Sequence, residues 1–158
     1  MIKGALKRFR LRDQLSADRL KIFALFEKTV LAIILITLVF IFMEKAGLTS
    51  MFLVGGVVGG MMGFLIITVK KMYYDEALSE LKIQDYITLE MLSNAMSTIG
   101  YSERKDGIYH PRIKIFSVFF YCPSELITLK AQGVDSIFTG PHDKLLKLSN
   151  TISRDVSI

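Results

Sequence analysis

The apolar positions of this chain concentrate between residues 22 and 69, in two runs parted by one charged pair. The first is centred on Thr29 to Met43, "TVLAIILITLVFIFM", and Ile22, Phe23, Leu25 and Phe26 extend it toward the N-terminus. Lys28 then snorkels and Glu27 lies near the headgroups. The second run, Ala46 to Val69, carries no charge and is long enough to cross ~30 Å of hydrocarbon with some tilt. Between them stand Glu44 and Lys45. This pattern predicts a transmembrane helical hairpin over 22–71.

After Lys71 the pattern becomes that of a small soluble domain. Tyr73 and Tyr74 mark an aromatic belt. Leu78, Leu81, Ile83, Ile87, Leu92, Ala95, Met96 and Ile99 recur at helical spacing, with Asp85 as an internal N-cap and Gly100 as the C-terminal cap. "RIKIFSVFFY" alternates and then turns apolar on both faces, which predicts a central strand. "ELITLKAQGVDSIFT" reads as a hairpin turning at Gln132 and Gly133, with Ile127, Leu129, Ile137 and Phe138 facing the core. In "TGPHDKLLKLSNTI", Gly140 and Pro141 turn the chain into a helix that buries Leu145, Leu146, Leu148 and Ile152. The fold class expected is a membrane α-helical hairpin plus a small cytoplasmic α+β domain: helix, three-stranded antiparallel sheet, helix. Its parts are a basic juxtamembrane segment 1–21, the hairpin 22–71 and a ligand-sensing domain 72–158.

The second span contains five glycines, each costing about 1 kcal/mol in a helix interior. At 100° per residue Gly55, Gly59 and Gly63 form one row and Gly56 and Gly60 the next, together covering about 140° of the helix. Such small-xxx-small rows let helix backbones approach closely in hydrocarbon. Two arrangements use this face. It packs on the first span, where only Ala32 is small, or it meets copies of itself in an oligomer.

Charge adds orientation. Residues 1–28 hold eight bases against three acids, net +5, whereas residues 72–158 hold nine bases against eleven acids, net −2. The basic excess is therefore juxtamembrane, and by the positive-inside rule both termini are cytoplasmic. "SADRLKIF" supplies Ser16 as N-cap and Asp18 in the first turn of a helix lying on anionic lipid. The basic balance points to a membrane surface, not to duplex nucleic acid. The early apolar run lacks a small-x-small cleavage site and is followed by a second span, so it reads as retained. Neither span carries an ionisable residue at depth, which argues against proton relays, ion-coupled carriers and intramembrane hydrolases.

Candidate chemistry is sparse. Cys122 is the single cysteine and reads as a small buried hydrophobe. His110 and His142 have no partners at metal spacing, and no phosphate-binding loop, Gly-x-Ser-x-Gly or Cys/His pair is present. The expectation is a protein that is not an enzyme and has neither cofactor nor metal; a membrane-anchored nuclease or phosphodiesterase would depend on His110 or His142. Two places suit an anion. Arg104, Lys105, His110, Arg112 and Lys114 gather around a turn at Asp106 and Gly107, interleaved with Tyr101 and Tyr109, pairing cations for phosphate with rings for bases. Thr139, His142 and Lys144 stand at the start of the last helix. The plain alternative for both is ordinary basic strand ends and Gly-Pro punctuation.

Two N-terminal spans, inward-facing termini and a cytoplasmic domain of under 100 residues resemble the small CRISPR-associated membrane effectors of type III systems. That resemblance implies a cyclic oligoadenylate ligand of the tetra-adenylate type. It also implies a homo-oligomer, tetrameric or higher, in a bacterial inner membrane, and permeabilisation or depolarisation as antiviral defence. The alternative is a non-enzymatic interaction protein, either an immunity protein or an accessory subunit of a larger membrane complex.

Overall fold

A computed structural model describes residues 4–48, 53–84, 87–105, 107–132 and 135–155. The helices are α1 (Leu11–Ala17), α2 (Leu20–Lys45), α3 (Leu53–Lys70), α4 (Leu89–Thr98) and α5 (His142–Asp155). The strands are β1 (Gly4–Arg8), β2 (Leu78–Ile83), β3 (Tyr101–Lys105), β4 (Ile108–Pro111), β5 (Ile127–Gln132) and β6 (Asp135–Pro141). A π-helical turn, Lys71–Asp75, follows α3, and a 3-10 turn, Pro123–Glu125, precedes β5.

Helices α2 and α3 are long and apolar enough to cross a membrane, and they pack on each other as a hairpin. In their most apolar windows only 6% and 11% of residues are buried within the protein. The domain's own core therefore does not absorb this surface, and a helix apolar on all sides needs either a core or hydrocarbon around it. The two glycine rows divide the work. A Cβ at Gly56 would collide with the Phe40 ring, and one at Gly60 would meet Ile36 at 3.8 Å. This row is therefore the seat for the bulky residues of α2. Gly55, Gly59 and Gly63 have open space at the same position. The face expected to serve one purpose is split between the partner span and the outside.

The six strands form one antiparallel sheet in the order β1-β2-β6-β5-β4-β3. The expectation of a three-stranded sheet is thus wrong in count, and of its three strands only the hairpin pair, β5 and β6, forms. Strand β1 comes from the segment read as juxtamembrane, and its register with β2 runs from Gly4 opposite Ile83 to Arg8 opposite Ser79. The helical hairpin is consequently inserted between two neighbouring strands, and its two flanks lie side by side. Strand β2 replaces the first turns of the expected helix over 75–99: Ser79, Leu81 and Ile83 are buried in alternation, a period of two. Helix α4 starts later, capped by Thr88, whose hydroxyl accepts from the Met91 N–H at 3.3 Å. The proposed cap Asp85 lies outside the described residues, as do Asp106 and Gly133. Ser16 caps nothing; it sits within α1 and donates to the Arg12 carbonyl.

Cross-strand neighbours Leu6, Leu81, Phe138 and Leu129 form one apolar row across β1, β2, β6 and β5. Helices α4 and α5 cover it with Leu92, Ala95 and Met96 and with Leu145, Leu148 and Ile152. Leu146, expected inside, is exposed. Gly100 ends α4 at φ +83, as a C-terminal glycine should. "RIKIFSVFFY" is not a central strand. Beyond Pro111 it is irregular, with Phe116 fully buried and Val118 and Phe119 exposed, so its apolar residues serve two different surfaces.

Leu81 stands in the middle of this core. Leu81→Ala is expected to cost about 2–5 kcal/mol, seen as a lowered melting temperature in detergent, while Leu89→Ala on the exposed side of α4 stays within about 0.5 kcal/mol.

Candidate functional site

The nine residues expected to bind an anion are dispersed by the fold. Arg104 and Lys105 are exposed on β3, the edge strand. Tyr109 belongs to the core and cannot stack on a base. His110 lies edge-on to Tyr121, 6.5 Å between ring centres, and the ammonium of Lys114 stands 4.7 Å above the same ring. Burial and then Arg104 hold His110 below the usual imidazole range. Thr139 follows Phe138 on β6 and so points to the sheet face opposite the helices. His142 Nδ1 is 3.2 Å from the Ser79 hydroxyl, and burial, then Arg8, lowers its pKa.

Arg112 and Lys144 do come together. They line a concavity of about 230 Å³ with Tyr101, Pro111, Ile113 and Ile115. The Arg112 guanidinium is steadied by donation to the Ser97 hydroxyl at 2.9 Å, and the Arg112 backbone N–H donates to the Gly100 carbonyl. Across Lys144 and Ile99 this space adjoins a second groove of about 310 Å³, walled by Thr98, Lys147, Asn150, Thr151 and Arg154. Among the described residues no carboxylate lines either groove; Asp143 approaches Lys144 at 3.6 Å from beside it. Four cations, hydroxyls and an amide thus face one continuous surface, a donor set for a multiply charged phosphate.

The sequence held a signal for the residues missed. Lys144, Lys147, Thr151 and Arg154 recur at spacings of three and four, a helical stripe flanking Leu145, Leu148 and Ile152. A third basic cleft, about 570 Å³, lies by β1 and is lined by Lys7, Arg8, Arg10 and Arg12 with Asp13 and Glu80. It opens beside α1, the helix that leads into the root of the helical hairpin at α2.

At that root the chain buries polar groups and satisfies most of them. The Gln14 amide donates to the Phe9 carbonyl at 3.0 Å and accepts from the Leu78 N–H, closing α1 over both β1 and β2. Asp18 accepts from the N–H groups of Lys21 and Ser124. Lys21 Nζ donates to the Glu76 carbonyl at 3.2 Å and lies 4.2 Å above the Phe116 ring. Glu125 accepts from the Phe116 N–H at 2.8 Å, but its other oxygen has no partner, and one oxygen of Glu76 is likewise unpaired. Burial pushes both carboxyls above the usual range, and pushes the Cys122 thiol up to about 12.

These shifts carry a sign. A carboxyl whose pKa is raised by folding binds its proton more tightly in the folded chain, so stability falls as pH rises through the unfolded value toward the folded one. Melting temperature is therefore expected to decline from about pH 4.5 upward. Glu125→Gln should flatten that decline, leaving the part due to Glu76; an unchanged slope would show that Glu125 does not contribute. Comparison with protein-family models, with curated proteins and with solved structures gives no match for this chain.

Proposed function

We propose that the protein is a non-enzymatic, homo-oligomeric membrane effector that responds to a phosphate-rich ligand of the cyclic oligoadenylate class by permeabilising the bilayer in antiviral defence. The observation that carries this reading is the confluence of Arg112, Lys144, Lys147 and Arg154 in two adjoining grooves walled by α5. An anionic ligand that bridges Arg112, Lys144 and Lys147 draws α4, α5 and the Arg112 loop together. Helix α5 packs against β1 and β2, the two strands that hold the ends of the helical hairpin. A shift of α5 is thereby passed to both spans at once. The open row of Gly55, Gly59 and Gly63 is the face through which spans of neighbouring copies meet. Both termini, on this reading, are on the cytoplasmic side of a bacterial inner membrane.

A second reading, an accessory or immunity subunit of a larger complex, draws on the same glycine row, because an uncovered row accepts a helix from any chain. Mass in mild detergent separates the two: an oligomer of one chain supports the effector, and a monomer supports the subunit.

The direct measurement is dye release from proteoliposomes on addition of cyclic tetra-adenylate. Release at micromolar ligand is expected, and its absence at every concentration would sink the proposal. Reversing two charges, Lys144→Glu with Lys147→Glu, should weaken ligand binding by about 100-fold or more and suppress release. Gly59→Leu should abolish oligomer and release but keep ligand binding. Gly56→Leu should instead disrupt the hairpin by displacing Phe40.

A further inference from the structure

The segment 112–121 between β4 and the 3-10 turn is rich in large apolar residues yet joins no strand ladder. Phe116 is fully buried beneath Lys21, but Ile113, Val118 and Phe119 are 83%, 65% and 73% exposed, and Tyr121 is exposed beside them. Val118 and Phe119, adjacent in the chain and both exposed, mark a surface that something apolar covers. The loop is also held in place. Glu27 of α2 accepts from the Val118 N–H at 2.8 Å and from the Ser117 hydroxyl, and Lys28 Nζ donates to the Ile115 carbonyl at 3.1 Å.

These bonds fix the depth of the loop. At 1.5 Å per residue, ~30 Å of hydrocarbon takes ~20 residues. Counted back from Met43, the last residue before Glu44, the boundary falls near Ala24. Glu27 therefore lies about one turn inside it. Glu27 and Lys28 are the only charged residues of α2 between Lys21 and Glu44, and both direct hydrogen-bonding groups to the loop. Val118 and Phe119 consequently stand level with the exposed Phe23 and Phe26 of the same helix. On this placement the exposed Val118 and Phe119 extend the apolar surface of α2. Tyr121 and Lys114, stacked at 4.7 Å, supply the aromatic and cationic pair typical of the headgroup layer.

We propose that residues 112–121 form a membrane-embedded loop, clamped to the root of α2 by Glu27 and Lys28, whose Val118 and Phe119 enter the acyl boundary of one leaflet. Its occupant is the lipid of the bilayer that α2 and α3 cross, and it rests on the reading of those helices as spans. Arg112, at the other end of the same loop, lines the groove with Lys144, so the loop joins the anion surface to the lipid.

The test uses the full chain, with Cys122→Ala, in vesicles of phosphatidylethanolamine and phosphatidylglycerol. An environment-sensitive fluorophore is placed in turn by Phe119→Cys, Ser102→Cys on exposed β3, and Leu35→Cys in mid-α2. Lipids bearing shallow or deep nitroxide quenchers report depth. The position 119 label should be quenched several-fold more by the shallow lipid than the position 102 label, and the position 35 label most by the deep lipid. Quenching at 119 equal to that at 102, with 35 still deep, overturns the loop and leaves the spans intact. Loss of deep quenching at 35 overturns both. Blue-shifted emission at 119 without lipid quenching means protein covers the loop, and also overturns it. Adding Glu27→Ala should reduce quenching at 119 toward the level at 102, whereas Glu27→Gln, which keeps an acceptor, should retain most of it.

Discussion

The pairing of β1 with β2 is the constraint on which this molecule is built. These two strands flank the helical hairpin in the chain, and their five-residue register brings the entry and the exit of the hairpin together. The chain must then turn from strand to helix, and back, within a small volume. Gln14, Asp18, Lys21, Glu76 and Glu125 are buried there for that reason. Each buried polar group costs free energy unless hydrogen-bonded. The bonds from Gln14 to Phe9 and Leu78, from Asp18 to Ser124 and from Lys21 to Glu76 meet most of that requirement. The unpaired oxygens of Glu76 and Glu125 are where it is met least.

Beside these polar contacts lies a small apolar knot of Ala24, Met72, Phe116 and Cys122. It brings together one residue from each arm of the hairpin root and two from the loop that precedes β5. The main core is separate and lies between the sheet and the pair α4 and α5. Ile115 packs against both cores, so the sheet and the hairpin share one mechanical frame. The basic stripe of α5 rests on that frame because the helix packs its Leu145, Leu148 and Ile152 face against the same strands.

Elements governed by local chemistry were legible in the sequence. The two long apolar helices, the β5–β6 pairing, the Gly140-Pro141 entry to α5 and the Gly100 cap all follow from periodicity or from one residue's conformational preference. Strands β1 and β2 were not. "GALKR" has a single inward apolar residue, Leu6, and its partner lies beyond both spans, so no local pattern announces the pairing. In "LSELKI" one of the three buried positions is Ser79, which breaks the alternation, and the spacing of Leu78 and Leu81 imitates a helix. The site suffered from a related error. Basic residues were grouped by nearness in sequence, and the strand pleat then sent Arg104, Tyr109 and Thr139 to different surfaces. The cations that do converge were spaced along α5 at the period already used for its buried face.

The insertion of the hairpin between paired strands also sets an order of assembly. Strand β1 is synthesised before α2 and α3, whereas β2 follows both, so the sheet cannot close until the whole hairpin has been made. On the proposed reading of α2 and α3 as membrane spans, closure further requires that the two flanks emerge on one side of the bilayer. On that reading, a chain with one helix misplaced would leave β1 stranded across the membrane and the edge of β2 bare, open to pairing with other chains. The sheet would then act as a proofreader of insertion, since only a correctly threaded chain completes its six strands.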